Sequence, residues 1–145
     1  LIGGCSNSSY EDLTRAGIVA AQAASAGMKV KAPLLITPGS QTISAALFKE
    51  GILDIFTAIG AEILENGCGS CIDERKPRDD EMTGVTVTSL NKCSVAPDSA
   101  GHVSFAGSPE LVVVAALTGS ISFNPEKDSI LLANGNTFSF APPAV

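Results

Sequence analysis

The chain has 145 residues, 45% of them hydrophobic and 17% charged, with a net charge of −6. That length suits one domain around a single core, and the acidic balance argues against a nucleic-acid partner, whose phosphates call for a basic face. The longest apolar run, Leu111 to Leu117, is far too short to span a bilayer, so no membrane segment is expected.

Leu1 and Ile2 already read as buried strand, with no initiator Met and no basic or Arg-rich leader before them. The chain therefore reads as a segment of a longer polypeptide. After this strand and the residues around Cys5, Ser8 or Ser9 caps a helix whose first turn carries Glu11 and Asp12, suited to the positive end of its dipole. Leu13, Ala16, Gly17, Ala20 and Ala24 follow at helical spacing, and Gly27 ends the run.

Ala32 to Ile36 reads as a second strand, broken by Pro38 and Gly39. A helix from Ser40 to Glu50, a shorter one from Leu53 to Ile59 and a strand from Ala61 to Leu64 come next. Asp73 to Glu81, with Arg75, Lys76, Pro77 and Arg78, is a charged, solvated stretch. Gly84 to Ser89 and Val103 to Ala106 alternate as strands do, and Ser108 with Pro109 opens a helix over Glu110 to Thr118. Ile130 to Ala133 and Thr137 to Phe140 flank Asn134-Gly135, a hairpin signal.

Strands alternating with helices at this spacing predict a three-layer α/β/α fold. Its sheet is mostly parallel and doubly wound, with a C-terminal β-hairpin extension. Residues 1–125 form the α/β domain and 126–145 a hairpin or linker towards a following domain. Four cysteines permit two disulfides, yet the chain lacks the small, loop-rich, Cys-dense character of a secreted scaffold, and a reduced, intracellular setting is expected.

Cys5, Cys68 and Cys71 carry the chemistry. Each follows the carboxyl end of a strand, where open α/β sheets place ligands, and two such strands on one sheet edge bring the three thiols together. A CxxC pair alone serves thiol redox, zinc and iron–sulfur sites equally. Three thiolates leave one position of a tetrahedral or cubane site open, unless His102 or Cys93 supplies a fourth ligand. A structural reading makes Cys5 a small buried hydrophobe and Cys68–Cys71 a redox pair. Against a thioredoxin-like site stands the lack of any Trp.

LIGGCSNSSYED resembles the IGSCTNSSYED motif of the aconitase family, and NGCGSCID resembles its ACGPCIG. The two cysteine motifs lie 63 residues apart, as in the family, with LLITPGS between them, and the resemblance continues through TSLNK, SPELV and FNP. It is nearest to the mitochondrial-type aconitases. The resemblance implies that Cys5, Cys68 and Cys71 hold a 4Fe-4S cluster with one iron open to act as a Lewis acid. It implies citrate, isocitrate and cis-aconitate as partners, the tricarboxylic acid cycle as setting and a mitochondrial location.

In the family a TSYNRNFTGRND motif supplies an Asn beside the cluster and two Arg for substrate carboxylates. Here TSLNKCSVAPDS keeps Asn91, puts Lys92 at the first Arg and Pro97 at the second. Lys92 keeps a charge but not the bidentate fork. Each lost charge-assisted contact costs about 1.5–3 kcal/mol, roughly tenfold to a hundredfold in affinity. Ser70, Asp73-Glu74-Arg75 and Cys93 also depart from the pattern.

The family's Ser base, catalytic His and Asp, and further Arg belong to other domains, so the resemblance places no catalytic residue in this segment and expects the chain alone to be inactive. A degenerate paralogue serving as scaffold is the rival reading; homoaconitase and isopropylmalate isomerase are further relatives that use the same cluster on another acid.

Overall fold

A computed structural model describes residues 1–3, 7–66, 84–89 and 102–144. Cys5, Cys68, Cys71, Asn91, Lys92, Cys93 and Pro97, and the charged stretch 73–81, lie outside the described residues. Those described form a mixed helix and strand structure with small parallel sheets.

The first helix, α1 (Tyr10–Ser25), begins at a capping box in which the Ser9 side chain accepts from the Asp12 N–H and the Asp12 carboxylate accepts from the Ser9 N–H. Met28 N–H reaches back to the Ala23 carbonyl while Gly27 takes a positive φ of 72°, a tight exit that glycine permits. Leu13, Ala16, Val19, Ala20 and Ala23 form the buried stripe of α1.

Strand β1 is Leu35–Ile36, shorter than the Ala32–Ile36 the sequence suggests. The difference has a cause: Lys31 and Ala32 give their N–H groups to the Ala116 carbonyl, so that part of the chain is tied to a helix and not to the sheet. Two helices follow, α2 (Gln41–Lys49), capped by Ser40, and α3 (Ile52–Ile59), entered and left through Gly51 and Gly60 at positive φ. Strand β2 is Glu62–Ile63, and β3 (Gly84–Thr88) pairs in parallel with β4 (His102–Ala106). Helix α4 (Pro109–Thr118) starts at Ser108, whose side chain accepts from the Leu111 N–H. Two short strands, β5 (Ile130–Leu131) and β6 (Thr137–Phe138), pair antiparallel across Asn134-Gly135, with Gly135 at φ 83°.

Backbone hydrogen bonds link the parallel pairs through the first three residues. Ile2 N–H donates to Leu35 O and Thr37 N–H to Ile2 O, both at 2.8 Å, which sets Ile2 opposite Ile36. On the other flank the Leu1 amino group donates to Val87 O at 2.8 Å and Ser89 N–H to Leu1 O at 3.0 Å. The strands thus run β2, β1, Leu1–Gly3, β3, β4, all in one direction.

The core is built from Ile2, Leu34 and Ile36 of the strands with Leu13, Leu47, Phe56, Ile59, Val113 and Leu117 of the helices. Helix α1 packs against both α3 and α4. Gly17 allows the first approach, for a β-carbon there would lie 2.8 Å from Ile52 Cγ2. At the second, Arg15 Nε lies 2.8 Å from Glu110 Oε1, a contact without directed hydrogen-bond geometry and, half in solvent, worth about 0–1 kcal/mol. The chain's last segment docks on α1 through Gln22, which exchanges two hydrogen bonds with the Ala141 backbone. Edge-to-face contacts join Phe140 to Phe123 and Phe138. Among the described residues no helix is long and apolar enough to cross a membrane.

Candidate functional site

The strand carboxyl ends gather the stems of the two cysteine motifs, the Thr37-Pro38-Gly39 turn and the segment after Ser89. Ile36 pairs with Ile2 on one side and Ile63 on the other, so β1 separates the strands preceding the two cysteine motifs by two strand spacings, about 10 Å. Cys5 follows Ile2 by three residues and Cys68 follows Ile63 by five. The strands that precede both motifs therefore end at the same edge of the sheet. Between them β1 runs into Thr37-Pro38-Gly39.

Ser89 fastens the first of these stems to a third. It is 2% exposed at the end of β3. Its Oγ accepts from Gly3 N–H at 3.2 Å and donates to Asn7 O at 3.3 Å, while Asn7 Nδ2 donates to Ser89 O. Gly3 and Asn7 bracket the residues around Cys5, and Ser89 precedes Asn91 by two positions and Lys92 by three. One serine thus holds the base of the Cys5 segment beside the base of the segment carrying Asn91 and Lys92.

The Thr-Pro-Gly turn is seated as closely. Gly39 N–H donates to Ser8 O at 3.0 Å. Helices α1 and α2 both start at this edge, their first N–H groups met by Ser9 and Ser40. Tyr10 O–H donates to Glu50 Oε2 at 2.6 Å, a bond that raises the tyrosine pKa and ties the first residue of α1 to the end of α2. Thr37 is 1% exposed, and its Oγ1 has no hydrogen-bond partner among the described residues.

A second concavity, of about 530 Å³, lies between β3, β4, α4 and residues 120–126. Its walls are Val87, Phe105, Leu111, Val114, Ile121 and Phe123, and Glu126 is its one ionisable group among the lining residues. The hydroxyls on its lining, Ser120 and Ser122, are bonded to each other.

Comparison with known proteins agrees with these motifs. The family model described as the aconitase family (aconitate hydratase) matches residues 1–119. The chain belongs to the aconitase family. It is 41% identical to the mitochondrial homocitrate dehydratase of Saccharomyces cerevisiae, over 99% of this chain and 19% of that protein. Its identity to a putative mitochondrial aconitate hydratase of Emericella nidulans is 43%, and to the mitochondrial aconitate hydratase of Gracilaria gracilis 41%, with the same 99% and 19% shares. The chain spans about a fifth of the length of the curated relatives it matches.

The sequence points to the cysteines and Asn91-Lys92, which lie outside the described residues, and gives Asn7, Thr37 and Ser89 no role. All three sit inside the quoted strings SNSSYED, TPGS and TSLNK. The available signal was a hydroxyl or amide at the carboxyl end of a buried strand, where no helix cap or turn accounts for it.

Proposed function

We propose that this chain is the cluster-bearing domain of a hydro-lyase that interconverts citrate and isocitrate through cis-aconitate. Cys5, Cys68 and Cys71 are the ligands of a 4Fe-4S cluster, and Asn91 and Lys92 face the substrate. What supports the reading is the placement of Ile36 between Ile2 and Ile63, which sets the strands preceding both cysteine motifs side by side with β1.

The donor set fits the group: three soft thiolates suit iron–sulfur ligation, and the buried, unpartnered Thr37 hydroxyl at the same edge offers a donor that sulfur can accept. When bound, such a cluster supplies an iron not held by protein, a Lewis acid for the substrate hydroxyl and carboxylate. The chain's own part is to orient and bind. Ser89 and Asn7 fix the stem of Cys5, and Lys92 offers a carboxylate one point charge in place of a fork.

The remaining domains of the longer protein supply the acid–base groups, so this chain alone does not turn over substrate. The described strands are parts of one doubly wound, three-layer domain over residues 1–125, with 126–145 a hairpin extension towards the next domain. The relatives' names support a mitochondrial location, and a citrate-isocitrate interconversion would place the protein in the tricarboxylic acid cycle. The homocitrate dehydratase relative favours a second reading, in which the acid is one methylene longer. Lys92 and Pro97 favour a third, a scaffold paralogue with an idle site.

Anaerobic reconstitution of the full-length protein with iron and sulfide should give a 4Fe-4S spectrum that Cys5→Ser and Cys68→Ser abolish; absence of iron uptake by wild type sinks the cluster reading. Assays with citrate, cis-aconitate and homocitrate then separate the three functions, since turnover of any of them excludes the scaffold.

A further inference from the structure

We infer that the Thr37 hydroxyl donates a hydrogen bond to a sulfur of the group held by Cys5, Cys68 and Cys71, an assignment that rests on the cluster reading above. Thr37 ends the strand that separates the two cysteine stems. It is buried to 1% exposure, and its Oγ1 has no partner among the described residues. Buried hydroxyls are nearly always paired, because their desolvation is otherwise uncompensated.

Among the described residues, the neighbouring backbone carbonyls already accept from main-chain N–H groups. Thr37 N–H is taken by Ile2 O, and Leu64 N–H by Ile36 O. The cross-strand neighbours are Gly3, which has no side chain, and Leu64, which is apolar and buried. The Ser8 carbonyl accepts from Gly39 N–H. Cys5 follows Gly3 by two residues, a reach of at most about 7 Å between α-carbons. Thiolate and sulfide sulfurs carry no proton of their own and accept hydrogen bonds only. A lone buried donor at the end of the strand between their stems has the complementary chemistry.

The positive ends of α1 and α2, at the same edge, add to a setting that favours an anionic sulfur group. Hydrogen bonds to cluster sulfurs raise the reduction potential, and contacts to a ligand shell of this kind govern metal retention. Thr37 is thus a positioning residue for the cluster.

The test compares full-length wild type, Thr37→Val and Thr37→Ser after anaerobic reconstitution. Thr37→Val should hold iron about tenfold or more weakly against a chelator and shift the cluster potential to more negative values, with Thr37→Ser restoring both. The metal-free Thr37→Val protein should melt no lower than wild type, since valine fills the same space without an unpaired hydroxyl. If Thr37→Val matches wild type in iron retention and potential, the hydroxyl assignment falls and the cluster reading stands. If the metal-free variant is destabilised and Thr37→Ser does not restore the potential, the hydroxyl is structural and the assignment is overturned. Failure of wild type to load any cluster removes both.

Discussion

Gly39 and Ser8 touch through their backbones: the Gly39 N–H donates to Ser8 O at 3.0 Å, and a β-carbon at position 39 would lie 2.9 Å from that same oxygen. The oxygen belongs to the backbone just ahead of the Ser9 capping box, so it cannot swing aside as a side chain would. Gly39→Ala should therefore destabilise the fold by about 1–3 kcal/mol, the usual cost of overpacking. Urea unfolding of the two proteins checks it, and an unchanged midpoint would mean that the turn shifts without cost.

Ser89→Ala removes the acceptor of the Gly3 N–H and the donor to Asn7 O. A buried amide left unpaired costs about 1–3 kcal/mol, and here the loss falls on the stem of Cys5. The expected outcome is a lower melting temperature together with reduced iron stoichiometry after reconstitution. A lower melting temperature with full iron loading would assign Ser89 to stability alone.

The sheet also predicts a pH effect in the 145-residue chain produced by itself. Burial pushes the Leu1 amino group from 8.0 down to about 6, because the charged form loses its water. The folded state favours the neutral amine, so the unfolded state binds more protons between pH 6 and 8. Stability is fully present above pH 8 and falls by about 1.4 kcal/mol per pH unit as the solution is acidified through that window. An upstream extension, which turns the amine into an amide, should flatten the profile between pH 6 and 8.

Helix ends and turns were legible in the sequence because their causes are local. Ser9 with Asp12, Ser40, and Ser108 with Pro109 each meet the first N–H groups of the helix that they precede. The order of the strands was not legible, since it depends on Leu1 bonding to Val87 and Ser89, more than eighty residues away. The same holds for the start of β1, where Ala116 O captures two N–H groups that a strand would have used. The roles of Ser89 and Thr37 depend on which strands flank them, which no spacing along the chain encodes.

In the full-length protein, Lys92→Arg should lower the KM for citrate by roughly tenfold to a hundredfold if a carboxylate meets this position, because the guanidinium adds a second parallel hydrogen bond. Steady-state kinetics with citrate and homocitrate checks it. An effect on one acid only would identify the substrate, and no effect on either would place Lys92 away from it.

Because residues 34–37 hold the stems of both cysteine motifs by main-chain bonds, the spacing of those stems does not depend on which side chains the motifs carry. Ser70 and Asp73-Glu74-Arg75 can therefore differ from the family pattern without shifting the anchor points. A deletion of one residue within β1 would do what those substitutions do not: it would turn every side chain of the strand to the opposite face and draw the two stems out of step together. Across its relatives, this domain should tolerate exchanges around the cysteines far better than any change in the length of the strand between them.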